Sequence, residues 1–549
     1  MLAKFLQKDS NRILVLLVIT FLCFINVVKN GYSLDDHMVT TIENQLVSKG
    51  LGGIKEIFTS NYSSNAGKSF EYRPLTIFTY AIEYQIFGFN ASVSHLISLF
   101  FYTLLVLLVY KVLIKLLPVN SEVVFWITLL FSLHPLHNEV VVSLKNREEI
   151  LVALFGFYSF YLFLIYTETN KKVYVFFAIS VFFLGNFVKL TIGSFAFLIL
   201  FSSWYFKNQS IKKMLFIFLL YTLASQIFYW TANLLLPSNY TRTFDFIENP
   251  LIAIDFIQRI PTSISLFFQY SKLFILPHQL LCYYGLGAVP IVGWTDFSFF
   301  IGLIIAFTCL FLFTKQLKER NLLGYGALIF LFLIFPYLNF PILAPGIMAE
   351  RFAFLAVLGF SMLLIALLIK FLKHYQVQLS LILLISVYVI ININRTSDWV
   401  SLYHLFEVDA SKEIKSVKVL NTFAELNQIE ANKHMNNPQE FNKYFLISKR
   451  YYMQAIKVYP QNAGAYNNLG TLLASVGDYK NAKDCFEKAI SFGYVNADVL
   501  YNIAALFELN NEIQKAIDAY KKCLKLSPNY EDARKRLNLL EGNINSDAQ

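Results

Sequence analysis

Residues 13–28 read ILVLLVITFLCFINVV, and the twelve that follow read KNGYSLDDHMVT (29–40). The first stretch is apolar over nearly the ~20 residues that a helix needs to cross a bilayer. Lys4, Lys8 and Arg12 precede it and no small-x-small cleavage site follows, so it reads as an uncleaved first span rather than a signal peptide. Asp35 and Asp36 then stand side by side at the membrane edge, ahead of a long polar loop. Charge at that level is costly and by default marks function.

Working outward, the whole chain looks built for lipid. Of 549 residues 56% are hydrophobic and only 15% are charged, where soluble domains carry about 25%. The net charge of +10 does not call for nucleic acid, because the basic residues fall in short clusters between apolar segments. Five cysteines show no metal or CxxC spacing. Spans are predicted near 12–29, 92–115, 122–140, 150–167, 173–189, 191–206, 214–236, 297–314, 322–340, 351–370 and 377–394. Lys111 and Lys115, Lys171 and Lys172, Lys207 with Lys212 and Lys213, Lys315 with Lys318 and Arg320, and Lys370 with Lys373 fall on alternate loops. The positive-inside rule puts them and the N-terminus on the cytoplasmic side. Residues 261–281 are apolar too, but a crossing there would turn KQLKER outward, so they read as a membrane-associated or re-entrant segment. Eleven crossings leave Asp35, Asp36 and the tail after residue 395 together on the extracytoplasmic side. The Phe-, Ile-, Asn- and Lys-heavy composition points to a bacterial plasma (inner) membrane.

The tail is different. AGAYNNLGTLLASVGDYKNAKDCFEKAISFGYVN (463–496) and ADVLYNIAALFELNNEIQKAIDAYKKCLKLSPNY (497–530) are consecutive 34-residue units. Tyr466 aligns with Leu500, Leu469 with Ile503, Gly470 with Ala504, Ala482 with Ala516 and Phe486 with Tyr520. This is the tetratricopeptide pattern of paired helices closed up by small residues. A longer unit with helices near 416–434 and 449–460 precedes them, and a capping helix begins near Arg534. The fold class is therefore all-α: a polytopic helix bundle of about eleven spans (1–395), a linker (396–415) and a short repeat solenoid (416–549). The solenoid's plain role is to bind or position protein partners.

Four polar clusters map to the outer face: Asp35-Asp36-His37, FEYRPLTIF (70–78), HPLHNEVVVSLKNREEIL (134–151) and GIMAERFAFL (346–355). Each has a structural reading beside the chemical one. Asp35 and Asp36 suit a helix N-terminus, Arg351 can pair with Glu350, Arg73 can be a loop residue, and His134 and His137 can lie at the interface. Pro135 argues against a metal-binding helix through the two histidines, and no third ligand is placed, so no metal is expected. Together the clusters suggest a site for an anionic, lipid-linked donor. Arg73, His134, His137, Arg147 and Arg351 would hold phosphate oxygens, with Glu139 and Glu350 supporting them. One of Asp35 and Asp36 would act as general base on an acceptor hydroxyl and the other would support it, with a slight preference for Asp35 as base. A single displacement of this kind inverts the sugar carbon.

In order along the chain, LDDHMV, YRPLTIFTYAIEYQIFG (72–88), SHLISLFFY (94–102), HPLHNEVVVSLKNREEIL, LPHQLLCYYGLGAVPIV (276–292), MAERFAFL (348–355) and DWVSLYHLF (398–406) resemble the transmembrane-and-tetratricopeptide-repeat (TMTC-type) proteins. These belong with the protein O-mannosyltransferases in the GT-C glycosyltransferase fold. The resemblance covers nearly the whole chain. It implies transfer of a mannose-type sugar from a polyprenyl- or dolichyl-phosphate donor to Ser/Thr hydroxyls outside the cytoplasm. It also implies a catalytic acid at Asp35 or Asp36 and no cofactor beyond the lipid-phosphate sugar as co-substrate. The expected partners are that donor, an acceptor protein or glycan, proteins held by the repeats, and membrane lipid. One departure is Lys189-Leu190, where the family often shows Lys-Glu. The competing reading is a non-catalytic membrane-anchored repeat scaffold for envelope assembly. A transporter is disfavoured by the odd span count and by charge gathered at one face.

Overall fold

The computed structural model describes residues 8–40, 44–61, 64–65, 68–69, 72–207, 209–236, 245–340 and 342–547. The chain divides into two compact units, Met1–Cys282 with Pro290–Leu405, and Tyr283–Val289 with Phe406–Gln549. Among the described residues every regular element is helical except a two-residue antiparallel ladder, Ser64–Asn65 with Lys68–Ser69.

Among the described residues of the first unit seven helices are long and apolar enough to cross a membrane: Asp9–Lys29, Ala91–Leu116, Leu144–Thr169, Leu190–Lys207, Ile211–Leu235, Phe297–Lys315 and His374–Asp398. Four shorter apolar helices accompany them, Ser121–Leu133, Val173–Asn186, Leu322–Tyr337 and Ala356–Phe371. Side-chain caps set several of the starts. Asn90 accepts from Val93 N at 3.2 Å, Asn120 from Val123 N at 2.9 Å and Asn321 from Gly324 N at 3.2 Å, each satisfying a donor that a helix start leaves open.

The short helices are short for local reasons. Ser121–Leu133 stops because Pro135 forces His134 into an extended conformation (φ −68°, ψ 129°). Thirteen residues rise only about 20 Å, well below the ~30 Å of a hydrocarbon core. The chain goes on through the turns Pro135–His137, Asn138–Val142 and Leu144–Asn146, which are almost entirely buried. Irregular backbone at such depth is tolerated only when protein surrounds it. The surrounding is strongest here: 67% of the Leu144–Thr169 window is buried, against 17% for Phe297–Lys315. The first is thus the central helix and the second is peripheral. Leu322–Ile334 and Ala356–Phe371 approach closely through glycines. A Cβ on Gly326 would lie 2.7 Å from Leu363 N, and one on Gly359 would collide with the Phe330 backbone. Such contacts suit helices that associate without a hydrophobic drive.

Residues Phe256–Ile275 form a twenty-residue helix that does not rank among the span candidates. It buries Leu266, Phe267, Tyr270 and Phe274 and exposes Phe256, Ile257 and Ile275. The helix begins five residues before the segment expected from sequence and ends ahead of Pro277.

Beyond Ser411 the described residues of the second unit form three helix pairs and a last helix. The pairs are Val417–Lys433 with Pro438–Val458, Ala463–Ala474 with Tyr479–Ser491, and Ala497–Leu509 with Ile513–Leu526; Glu531–Asp547 follows. In the last pair the repeat-pattern positions Ala504, Ala516 and Tyr520, with Cys523, share a core with Ala533, Leu537 and Leu540 of the final helix. That core gives the last helix its capping role. The expected linker at 396–415 is largely helical instead. His374–Asp398 runs into it, Leu402–Ser411 is a further helix, and the units divide between Leu405 and Phe406. Trp399 is buried, and Asn30 Nδ2 donates to Thr396 O at 3.0 Å, so this stretch is packed rather than free.

Residues Tyr283–Val289 are built into the second unit at the start of its first repeat helix. Val417 N donates to Leu286 O at 3.0 Å, and the Lys418 ammonium lies 5.6 Å from the Tyr283 ring centre. Gly287 holds φ +89°, and a Cβ there would collide with the Lys415 carbonyl; only glycine meets both demands at low cost.

Candidate active site

The turn after the first span is built around Asp36. Ser33 caps it, and the Asp36 carboxylate accepts from Ser33 N at 3.0 Å and from Ser33 Oγ at 3.4 Å. The same carboxylate reaches the central segment, accepting from Ser143 Oγ at 3.2 Å and Lys145 N at 2.9 Å. Asp36 is fully enclosed. Burial pushes its pKa from 3.8 up to about 6, against the pull of the Lys145, Ser33 and Ser143 hydrogen bonds. The folded protein therefore binds this proton more tightly than the unfolded chain. Stability from Asp36 is fully present below about pH 4 and is lost as pH rises through about 6, by at most ~3 kcal/mol. Melting temperatures from pH 4 to 7 should show this trend in the wild type and lose it in Asp36→Asn.

Asp35 has the opposite character. It is half-buried, and its side chain makes no hydrogen bond or ion pair with any described residue. Leu34, just before it, sits at φ +46°, a left-handed conformation that costs a non-glycine residue roughly 1 kcal/mol or more. Strain of this kind clusters at functional sites. Asp36 is thus the anchor of the turn, and Asp35 is the acid it presents.

Around this turn the charges are paired across the sequence. Arg73 pairs with Glu148. Lys189 reaches Glu148 at 3.0 Å and also pairs with Glu149. Arg351 pairs with Glu139 through its guanidinium, and its backbone N donates to the same carboxylate at 2.9 Å. Glu350 is buried close to Tyr270, whose hydroxyl feels Glu139, Arg351 and Glu350 together. Lys145 is half-buried and couples electrostatically to Glu148, Asp35, Arg73 and Arg351. Beside Arg351 and Glu149 opens a cavity of about 290 Å³. Its remaining polar lining is Thr191, Ser194 and Tyr337, and the rest is aliphatic and aromatic. The Thr191 hydroxyl is buried with no hydrogen-bond partner among the described residues.

The structure thus brings Asp35, Arg73, Arg351 and Glu139 to one place. It does not bring His134, His137 or Arg147 there as phosphate ligands. His134 Nε2 bonds Phe274 O at 2.9 Å, and its Nδ1 accepts from Leu136 N at 3.2 Å. His137 is held by the Tyr102 hydroxyl at 2.7 Å and Phe354 O at 3.0 Å. Both rings are completely enclosed, with each nitrogen committed. Arg147 is equally enclosed and spends its guanidinium on Glu83, Ser98 Oγ (2.9 Å) and Ser94 O (2.8 Å). The physical reason is the same in all three cases: partners tens or hundreds of residues away satisfy them. Sequence reading overlooked Lys145 and Glu148, and gave Lys189 no part in the site. The first two lie inside SLKNREEIL, where their charges are visible but their pairing is not.

Comparisons with known proteins bear on the chain as a whole. Tetratricopeptide-repeat models match residues 451–484 and 497–530. Over 537 residues the chain is 22% identical to human protein O-mannosyl-transferase TMTC3, covering 84% of this chain and 54% of that protein. The mouse TMTC3 is 21% identical over 596 residues, covering 96% of this chain and 62% of the relative. A segment of 166 residues is 30% identical to mouse TMTC4, covering 27% of this chain and 22% of that protein. The chain is similar to the TMTC-type family over most of its length. The TMTC-type likeness includes both the membrane helices and the repeats, and the chain is an integral multi-pass membrane protein. It spans little more than half the length of its TMTC3 relatives.

Proposed function

We propose that the protein is a membrane glycosyltransferase. It moves a mannose-type sugar from a polyprenyl- or dolichyl-phosphate carrier to an acceptor hydroxyl, a protein Ser or Thr, on the extracytoplasmic side of a bacterial inner membrane. The observation that carries this reading is the Asp35 carboxylate, without a hydrogen bond or ion pair to a described residue, beside a cluster of cations of which Arg351 lines a largely apolar cavity.

Asp35 takes the proton of the acceptor hydroxyl. The hydroxyl oxygen bonds to the sugar's anomeric carbon as that carbon's bond to the phosphate oxygen breaks. The electron pair stays on the phosphate, which leaves as an anion, and the anomeric carbon is inverted. Such a leaving group needs little protonation, so one base with cationic surroundings suffices. No metal enters this scheme. The Tyr283–Val289 segment, which belongs to the repeat unit, favours having the 237–296 loop and the repeats on one side of the membrane. The repeats would there present acceptor proteins.

The test is reconstitution of the full chain with a polyprenyl-phosphate mannose donor and an acceptor protein, read by intact-mass spectrometry. A gain of one hexose per modified hydroxyl is expected. Donor binding without any transfer, across a panel of acceptors and sugars, would favour the scaffold reading.

A further inference from the structure

The cations around Asp35 are not equivalent. Arg73 has Glu148, Lys189 has Glu148 and Glu149, and Arg351 has Glu139. Lys145 is the exception. Its ammonium makes no hydrogen bond or ion pair with any described residue, although its backbone N is fixed to Asp36 at 2.9 Å. That bond locks the turn carrying Lys145 to the turn carrying Asp35. The two side chains that make no hydrogen bond or ion pair with a described residue thus stand on two turns stitched together by Asp36, and the Asp35 charge acts on the Lys145 ammonium. An ammonium drawn partly out of water without a partner is costly. A cluster in which Arg73, Lys189 and Arg351 are each paired with a carboxylate holds one position in reserve for an anion.

We infer that Lys145 is the residue that receives the phosphate of the lipid-linked donor, whereas Arg73, Arg351 and Lys189 shape the site from within fixed ion pairs. This rests on the transferase reading for the identity of the anion, but the binding role can be tested without any transfer. Asp35 and Lys145 then divide the work: the carboxylate takes the acceptor's proton, and the ammonium holds the phosphate as the bond to the sugar breaks. A lysine suits the task because it is a point charge on a flexible stem, able to follow a departing group.

The experiment uses the full-length protein in detergent with farnesyl phosphate as probe and farnesol as its uncharged counterpart, read by ligand-induced thermal shift. Lys145→Gln should weaken farnesyl phosphate binding by roughly tenfold to hundredfold, the worth of a charge-assisted contact. Lys145→Arg should retain most of it, and farnesol should bind wild type and variants alike. Asp35→Asn should bind farnesyl phosphate at least as well as wild type. If Lys145→Gln lowers the unliganded melting temperature, Lys145→Met, which keeps the apolar stem, replaces it. Wild-type affinity in the uncharged variants would overturn the inference, and so would an equal loss of farnesol binding or no farnesyl phosphate binding by the wild type. Lys145-dependent binding in a protein that never transfers a sugar would defeat the transferase reading and leave this one standing.

Discussion

Asp35→Asn is expected to lower turnover by about 10²- to 10⁴-fold, the usual worth of a general base, with the melting temperature close to that of wild type. The carboxylate makes no hydrogen bond or ion pair with a described residue, so little holding the fold together is lost. Donor binding should survive, since the substitution removes a negative charge near the anion. Asp36→Asn should behave differently. Its carboxylate accepts from Ser33, Ser143 and Lys145, and an amide supplies only one oxygen for these donors. Asp36→Asn should therefore change stability and its pH dependence, and lose activity through the displaced turn. Full activity in Asp35→Asn with a dead but well-folded Asp36→Asn would exchange the two roles.

The largest expected loss of stability comes from Arg147→Ala. The guanidinium is completely buried, pairs with both oxygens of Glu83, donates to Ser98 and Ser94, and stacks 3.9 Å from the Tyr80 ring centre. Its removal leaves Glu83 as an uncompensated buried charge, at a cost of about 3–5 kcal/mol. The double variant Arg147→Met with Glu83→Gln should recover much of that, because replacing a whole buried pair is often close to neutral. Thermal unfolding of the three proteins in one detergent measures it. A phosphate ligand would give the reverse pattern: an unchanged melting temperature, weaker donor binding and no benefit from the second substitution.

These contrasts show where the sequence was informative. The apolar runs, the alternation of basic loops and the 34-residue period each rest on many residues obeying one physical rule, so eleven apolar helices and the paired repeats were legible. Span ends were less so. The reading of 122–140 as one span missed the stop at His134-Pro135, since a greasy continuation, LHNEVVV, concealed a proline break. Asp35 stood out because a charge beside a span is rare. The roles of Arg147, His134 and His137 were misjudged because what decides them is partners distant in sequence: Glu83, Phe274 and Phe354. Lys145 went unnoticed for the converse reason, as nothing in a sequence marks a cation that lacks a partner. Lys189, noted only for the missing acid beside it, finds Glu148 and Glu149 from another segment.

The Tyr283–Val289 segment has a consequence for biosynthesis. It belongs to the repeat unit, yet the ribosome makes it before residues 290–405, which carry the last four apolar helices. At ~5–20 residues per second the segment waits on the order of ten seconds for Val417 to be synthesised. The first face of the solenoid therefore closes on a segment made well before its own helices, so its folding joins stretches of chain from both sides of the last four apolar helices.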